Sequence, residues 1–152
     1  MRRPVRVPPL AAVLVVGLVA GLAAGCSSEQ ETYCQAVEDH QPELSDVAAS
    51  GEPGAVLGAL DAYRDLRAKA PGDIGDEWSQ VVTRLEALQQ ALDDAGVEPA
   101  SYDPEVTPQG LPDDDRRAIE AAARDLGRAE TVEAMGGVEQ QALDVCGTPL
   151  SQ

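Results

Sequence analysis

Apolar residues recur every three or four positions over five stretches of the chain, a spacing typical of amphipathic α-helices. The predicted helices cover residues 31–49, 53–69, 73–96, 112–127 and 131–146. Pro42 lies inside the first helix and is expected to kink or split it, because proline removes a backbone hydrogen bond. No stretch alternates apolar and polar residues for long enough to indicate a strand. Short connections between such helices predict an all-α fold, an antiparallel bundle of four or five helices.

The third predicted helix has the clearest pattern. Asp73 is its expected N-cap, and Asp76 and Glu77 follow in the first turn, where negative charge is favourable. Its apolar positions step by three or four: Trp78, Val81, Val82, Leu85, Leu88 and Leu92. This spacing favours a packing role for Trp78, the alternative being a ring that stacks on a sugar or a cofactor.

Two segments interrupt the regular pattern. Gly136-Gly137 lies inside the last helix, so either a neighbouring helix approaches closely there or the helix breaks before Val138. A pocket or hinge beside Met135 and Gly136 is a further possibility. The long connection from Gly96 to Leu111 is interpreted as a strap over the bundle, held by Tyr102; the alternative is a surface for a partner.

Composition restricts the function. The 152 residues include 27 acidic and 11 basic side chains, which disfavours nucleic-acid binding because that needs clustered positive charge. The length suits one domain, and a patterned hydrophobic content of 43% argues against disorder.

The N-terminus predicts export. Arg2, Arg3 and Arg6 precede an apolar run of 13 residues, Leu10 to Leu22. That run is shorter than the roughly 20 residues that a membrane-spanning helix needs, so a cleaved signal peptide is favoured over a permanent anchor.

The segment Leu22-Ala-Ala-Gly-Cys26 that follows the apolar run resembles the lipobox of bacterial lipoproteins. The resemblance implies cleavage between Gly25 and Cys26 and attachment of a diacylglyceryl group to the Cys26 sulfur. Residues 1–25 are then the signal peptide, residues 26–32 a short tether and residues 33–150 an acidic helical domain. The expected location is the outer face of the cytoplasmic membrane, with the lipid anchor as the contact to the membrane.

Cys34 and Cys146 remain once Cys26 is assigned to the lipid. Export leads to an oxidising compartment, so this pair predicts a disulfide between the first and last helices. Free thiols with a redox role are the alternative, which the lack of a CxxC motif disfavours.

Catalytic chemistry has little support in the sequence. His40 is the one histidine, and its neighbours Asp39 and Glu43 form at most a weak metal site, so a solvated helix face is the preferred interpretation. Asp113 to Asp115 suit a helix start and lack the spacing of a calcium loop. We therefore expect no cofactor, no metal and no enzymatic activity.

The mature part also resembles small uncharacterised lipoproteins of actinobacteria. The residues that carry this resemblance are Tyr33-Cys34, Asp76-Glu77-Trp78 and Val145-Cys146. It implies a location and an architecture, and no activity.

The sequence predicts a lipid-anchored, non-enzymatic interaction module that binds another envelope protein. The alternative is a carrier of a small apolar ligand, with a pocket near Trp78 or Gly136-Gly137. The candidate partner or ligand surface consists of Trp78, Tyr102, Met135, Gly136 and Gly137.

Overall fold

The computed structural model describes residues 24–106 and 110–151. Most of the predicted signal peptide, together with Pro108 of the predicted strap, lies outside the described residues. The described part contains six α-helices: α1 Ala24–Ser50, α2 Ala55–Gly58, α3 Leu60–Lys69, α4 Gly75–Asp94, α5 Asp113–Leu126 and α6 Ala129–Cys146. One turn of 3₁₀ helix covers Pro99–Ser101, and no described residue is in a strand. The all-α prediction is confirmed.

The helix α1 is longer than predicted and includes residues 26–32, which were expected to form a tether. Helical residues rise about 1.5 Å each, so seven of them span roughly 10 Å, less than half of their extended reach. Among the helices of the described ranges, none is both long and apolar enough to span a membrane.

Pro42 does not split α1, which is helical on both sides of it. Tyr33 and Val37 before the proline are fully buried, and Leu44 after it is almost as well buried. Tertiary packing therefore holds both halves of the helix and compensates for the backbone hydrogen bond that proline removes.

The prediction of one helix after Pro53 is wrong, because the structure has two, α2 and α3. They meet at Ala59, whose backbone (φ −93°, ψ 13°) departs from helical geometry. Gly58 precedes this position, and glycine deforms at little steric cost. Leu57 and Leu60, on either side of the break, are both buried.

The predicted N-cap of the third helix is also wrong. α4 begins at Gly75, its N-cap is Ile74, and no side chain caps it. The Ile74 side chain is buried, so its packing fixes the start of the helix in place of a capping hydrogen bond from Asp73. Asp76 and Glu77 do lie in the first turn, as predicted.

The helix α4 holds the described part together. It packs against α3, α5 and α6, while α1 packs against α3 and α6. All six apolar positions of its predicted stripe are buried: Trp78, Val81, Val82, Leu85, Leu88 and Leu92. The stripe therefore forms the centre of the core, and each surrounding helix covers part of it.

A buried hydrogen bond links α1 to α4. The Trp78 indole Nε1–H donates to the Tyr33 hydroxyl oxygen at 3.1 Å, and both side chains are fully buried. Trp78 therefore cannot contribute to a partner surface, and its predicted packing role is confirmed. The burial of Tyr33 raises the pKa of its hydroxyl.

The connection after α4 lies against α2. Tyr102 is largely buried, and the 3₁₀ turn before it approaches Gly54 closely. A Cβ atom placed at Gly54 would lie 2.5 Å from the backbone oxygen of Ala100, so only glycine permits this approach. Val106, further along the connection, is exposed.

The Cys34–Cys146 disulfide is present, as predicted, and joins α1 to the last residue of α6. The bonded residues are 112 positions apart, so the bond closes a loop that includes most of the described chain. A closed loop of this size restricts the unfolded chain much more than the folded one.

We predict that Cys34→Ser lowers the free energy of unfolding by roughly 4–5 kcal/mol, the loop-entropy value for about 100 residues. Chemical denaturation of the purified protein measures the loss. Reductant should weaken the wild type by a similar amount and leave the variant unchanged. Equal stability of Cys34→Ser and the oxidised wild type would contradict the prediction.

Candidate functional site

An apolar pocket of about 410 Å³ opens at the surface where α3, α4 and α6 meet. This volume falls within the range of about 300–1,000 Å³ that is usual for small-molecule sites. Its lining residues come from five helices: Val56, Tyr63, Val81, Leu85, Leu126, Thr131, Val132, Met135, Gly136 and Glu139.

The pocket has a buried interior and an exposed rim. Val81 and Leu85 of α4 and Tyr63 of α3 are buried, while Val132 of α6 is 60% exposed. Met135 is half-buried and packs against the core. A bound apolar molecule would therefore contact rigid core side chains on one side and the α6 side chains on the other.

Tyr63 is supported from behind by Trp78. The two ring centroids lie 6.2 Å apart with an interplanar angle of 58°. Such tilted aromatic pairs are favourable beyond the area that they bury. The hydrogen bond from Trp78 to Tyr33 thus fixes the position of the indole ring, and the indole ring packs against Tyr63 in the pocket wall.

Gly136 is one of the lining residues, and the space where a side chain would lie at this position is open. A Cβ atom built there would meet nothing within 4 Å, and one at Gly137 would meet only the Glu77 Cγ atom at 3.7 Å. No backbone approaches either glycine, so the predicted close approach of a helix is wrong. α6 is continuous over Ala129–Cys146, so the predicted break before Val138 is also wrong.

The polar groups of the pocket are few. The Thr131 hydroxyl already donates to the Asp125 backbone oxygen at 3.1 Å. Tyr63 is 6% exposed; its hydroxyl forms no hydrogen bond with another described residue, and it is not one of the fully buried side-chain atoms that lack a partner. Glu139 is the one charged side chain in the described lining. Burial, followed by the charge of Glu139, raises the pKa of Tyr63 to about 12.

The structure brings together only two members of the predicted surface, Met135 and Gly136. Trp78 lies in the core behind Tyr63, Gly137 faces Glu77, and Tyr102 lies on the connection beside α2. The sequence interpretation missed Tyr63 and Glu139. Glu139 follows Gly136 by three positions, a spacing that places both on one helix face and was available as a signal.

His40 lies in a polar cluster between α1 and α3. Its Nε2 atom is 2.9 Å from Asp65 Oδ2, and Lys69 Nζ is 2.5 Å from the same oxygen. Lys69, and next His40, lower the pKa of Asp65. The His40 side chain is 25% exposed, whereas Asp39 and Glu43 on the same helix are exposed, so this face is largely solvated, with His40 partly covered by its contact with Asp65.

The predicted acidic helix start is present in α5. Asp113, Asp114 and Asp115 occupy its first turn, and two of them pair with Arg116 and Arg117. Across the described ranges, no group of three or more His, Cys, Asp or Glu side chains is arranged to hold a metal ion.

No protein-family model matches the chain, and no curated protein and no solved structure is significantly similar to it. The function must therefore be argued from the geometry and chemistry of the pocket.

We predict that Gly136→Ala stabilises the protein by about 0.5–1 kcal/mol. Glycine inside a helix is less favourable than alanine by about this amount, and the space at residue 136 is open. Thermal and chemical unfolding measure the change, and Gly137→Ala is the matched control with the same gain in helix propensity. A loss of stability in Gly136→Ala alone would show that the fold requires glycine there.

We also predict a loss of stability at high pH that depends on Tyr63. The native pKa of about 12 exceeds the usual value of 10.0, so the folded state retains a proton that the unfolded state releases. The corresponding stability is complete below pH 10 and is lost as pH rises through about 12. Tyr63→Phe should therefore lose about 2–3 kcal/mol less than the wild type over that interval. Urea titrations at several pH values give this difference, and parallel curves would contradict it.

Proposed function

We propose that this chain is a lipid-anchored, non-enzymatic protein of the bacterial cell envelope that binds a small apolar ligand. The observation that carries the proposal is the pocket between α3, α4 and α6, with Gly136 at its wall. A glycine in mid-helix costs about 1 kcal/mol relative to alanine, and no steric contact requires this one. Gly136 is exposed, so the absence of a side chain there leaves the pocket open to solvent beside Met135.

The size of the pocket indicates the size of the ligand. A closed apolar cavity of about 150 Å³ accommodates benzene. The pocket here, at about 410 Å³, has space for a molecule two to three times as large. A chain of eight to ten carbons, or a pair of rings, fits that space.

The chemistry of the lining favours binding over catalysis. The described lining residues are mostly hydrocarbon, and the Thr131 hydroxyl is engaged by the Asp125 carbonyl. Apolar walls with one or two polar groups are typical of sites that orient a ligand.

Export and lipid attachment are supported by the sequence from Leu22 to Cys26. The disulfide is consistent with an oxidising compartment. α1 runs from Ala24 into the core, so the helical residues 26–32 would connect a lipid on Cys26 to the domain. We propose that α1, α3, α4 and α6 form the antiparallel bundle and that α5 packs against α4.

A second candidate function is docking of another envelope protein on α6. Val132 is 60% and Leu143 46% exposed, and eleven positions along a helix bring both residues to one face. In this case an apolar side chain of the partner would occupy the pocket.

Ligand binding can be tested with 1-octanol and the fluorescence of Trp78, the single tryptophan. The purified full-length protein is placed in phosphatidylcholine discs bounded by an aliphatic polymer, so that no other tryptophan is present. We expect a saturable change in emission, because the pocket wall packs on Trp78. Gly136→Leu should abolish the change by filling the pocket, and Gly137→Ala should retain it. The same response in wild type and Gly136→Leu would exclude the pocket.

Lipid attachment has its own test. Blocking the lipoprotein signal peptidase in a bacterium that expresses the chain should cause an uncleaved, lipid-modified precursor to accumulate. Cys26→Ser should carry no lipid, as measured by labelling with a palmitate analogue. Protein of mature size under complete blockade would contradict cleavage before Cys26.

A further inference from the structure

The carboxylate of Glu139 adds a negative charge to a pocket that is otherwise lined mostly by apolar side chains. Glu139 lies three positions after Gly136, on the same face of α6, and is exposed. It is the one charged residue among the described lining residues. A ligand with its apolar part in the pocket therefore has its polar end beside a negative charge.

Glu139 has no ion pair with any described residue, whereas arginines on the helices flanking the pocket already have acidic partners. Arg64 of α3 binds Asp61 and Glu86, both at 2.9 Å. Arg84 of α4 lies 3.8 Å from Asp125. The carboxylate is thus available to a cation that arrives from outside.

The Tyr63 hydroxyl is a second polar group in this pocket. Tyr63 lines the pocket, and no described residue forms a hydrogen bond with its hydroxyl. The hydroxyl is not one of the fully buried atoms without a partner, so it reaches solvent, and a ligand can replace water as its hydrogen-bond donor. An ammonium group can donate both to this oxygen and to a carboxylate.

The charge of the whole chain favours the same class of ligand. The chain carries a net charge of −16, and all 27 of its acidic residues lie after the predicted signal peptide. A negative field concentrates cations near the protein and repels anions. Fatty acids and other apolar anions are therefore disfavoured in this pocket.

We propose that the pocket binds an apolar primary amine. The hydrocarbon part lies against Val81 and Leu85, and the ammonium group donates hydrogen bonds to the Glu139 carboxylate and the Tyr63 hydroxyl oxygen. This inference rests on the proposed function, because it names the class of ligand for the same pocket.

The test compares octylamine, 1-octanol and octanoate, which share a chain length and differ in the charge of the head group. Trp78 emission reports binding to the full-length protein in phosphatidylcholine discs, where the added amine is the one primary-amine ligand. We expect octylamine, which is protonated at pH 7, to bind about tenfold more tightly than 1-octanol, and octanoate to bind most weakly.

Two variants of α6 distinguish a direct contact with the Glu139 carboxylate from the effect of the net negative charge of the protein. Glu139→Gln should reduce the preference for octylamine over 1-octanol from about tenfold to about twofold or less. Glu133→Gln removes the same charge from an exposed position of the same helix outside the pocket lining. It should retain the tenfold preference.

The outcomes distinguish this inference from the proposed function. Equal affinity for octylamine and 1-octanol, both abolished by Gly136→Leu, would overturn the amine inference and keep the apolar pocket. A preference that persists in Glu139→Gln would also overturn it. Absence of binding for all three probes would overturn both proposals.

Repeating the octylamine titration in discs that contain phosphatidylethanolamine identifies the source of the amine. Weaker apparent octylamine binding there would support a lipid head group as the amine. Unchanged octylamine binding would support a free amine.

Discussion

Two consecutive residues of α1 fix the positions of two other helices. Tyr33 accepts a hydrogen bond from Trp78 of α4 inside the core, and Cys34 is bonded to Cys146 of α6. Because an interior hydrogen bond and a covalent bond act at adjacent positions, α4 and α6 are held to one segment of α1. The space between them is thereby restricted, and Tyr63 enters that space from α3 with its ring against Trp78.

The pocket follows from this arrangement together with a helix-interior glycine. The buried stripe of α4 supplies an apolar floor, and α6 passes beside it with no side chain at Gly136. Filling that position would remove a destabilising glycine and also close part of the pocket. Stability and the proposed ligand binding would thus be opposed at Gly136, as is common where a protein maintains a binding site. In our proposal, the carboxylate of Glu139 on the same face selects the ligand by its charge.

Much of the fold was predictable because it depends on periodic burial. The stripe that begins at Trp78 and the helical class follow from spacing. The Cys34–Cys146 pair follows from the cysteine count once the lipobox resemblance assigns Cys26 to the lipid. The break at Ala59 was missed because Leu57 and Leu60 have the spacing of one continuous helix. The split allowed for at Pro42 does not occur, since tertiary packing holds both halves of α1.

The site was less predictable than the fold. Met135 and Gly136 were identified from the unusual glycine pair, but Tyr63 has the same sequence signature as a core residue. Its role depends on which side chains surround its hydroxyl, and that is a property of the tertiary structure. Glu139 is one of 27 acidic residues, so only its position beside Gly136 distinguishes it in the sequence from acidic side chains on solvated helix faces.

The most direct measurement is native mass spectrometry of the protein extracted gently from its own membranes, with wild type and Gly136→Leu compared. We predict a wild-type mass equal to the lipidated, disulfide-bonded chain plus one small molecule, and the loss of that molecule in Gly136→Leu. An identical mass for both proteins, corrected for the substitution, would contradict ligand binding in this pocket, whether or not an additional molecule is bound.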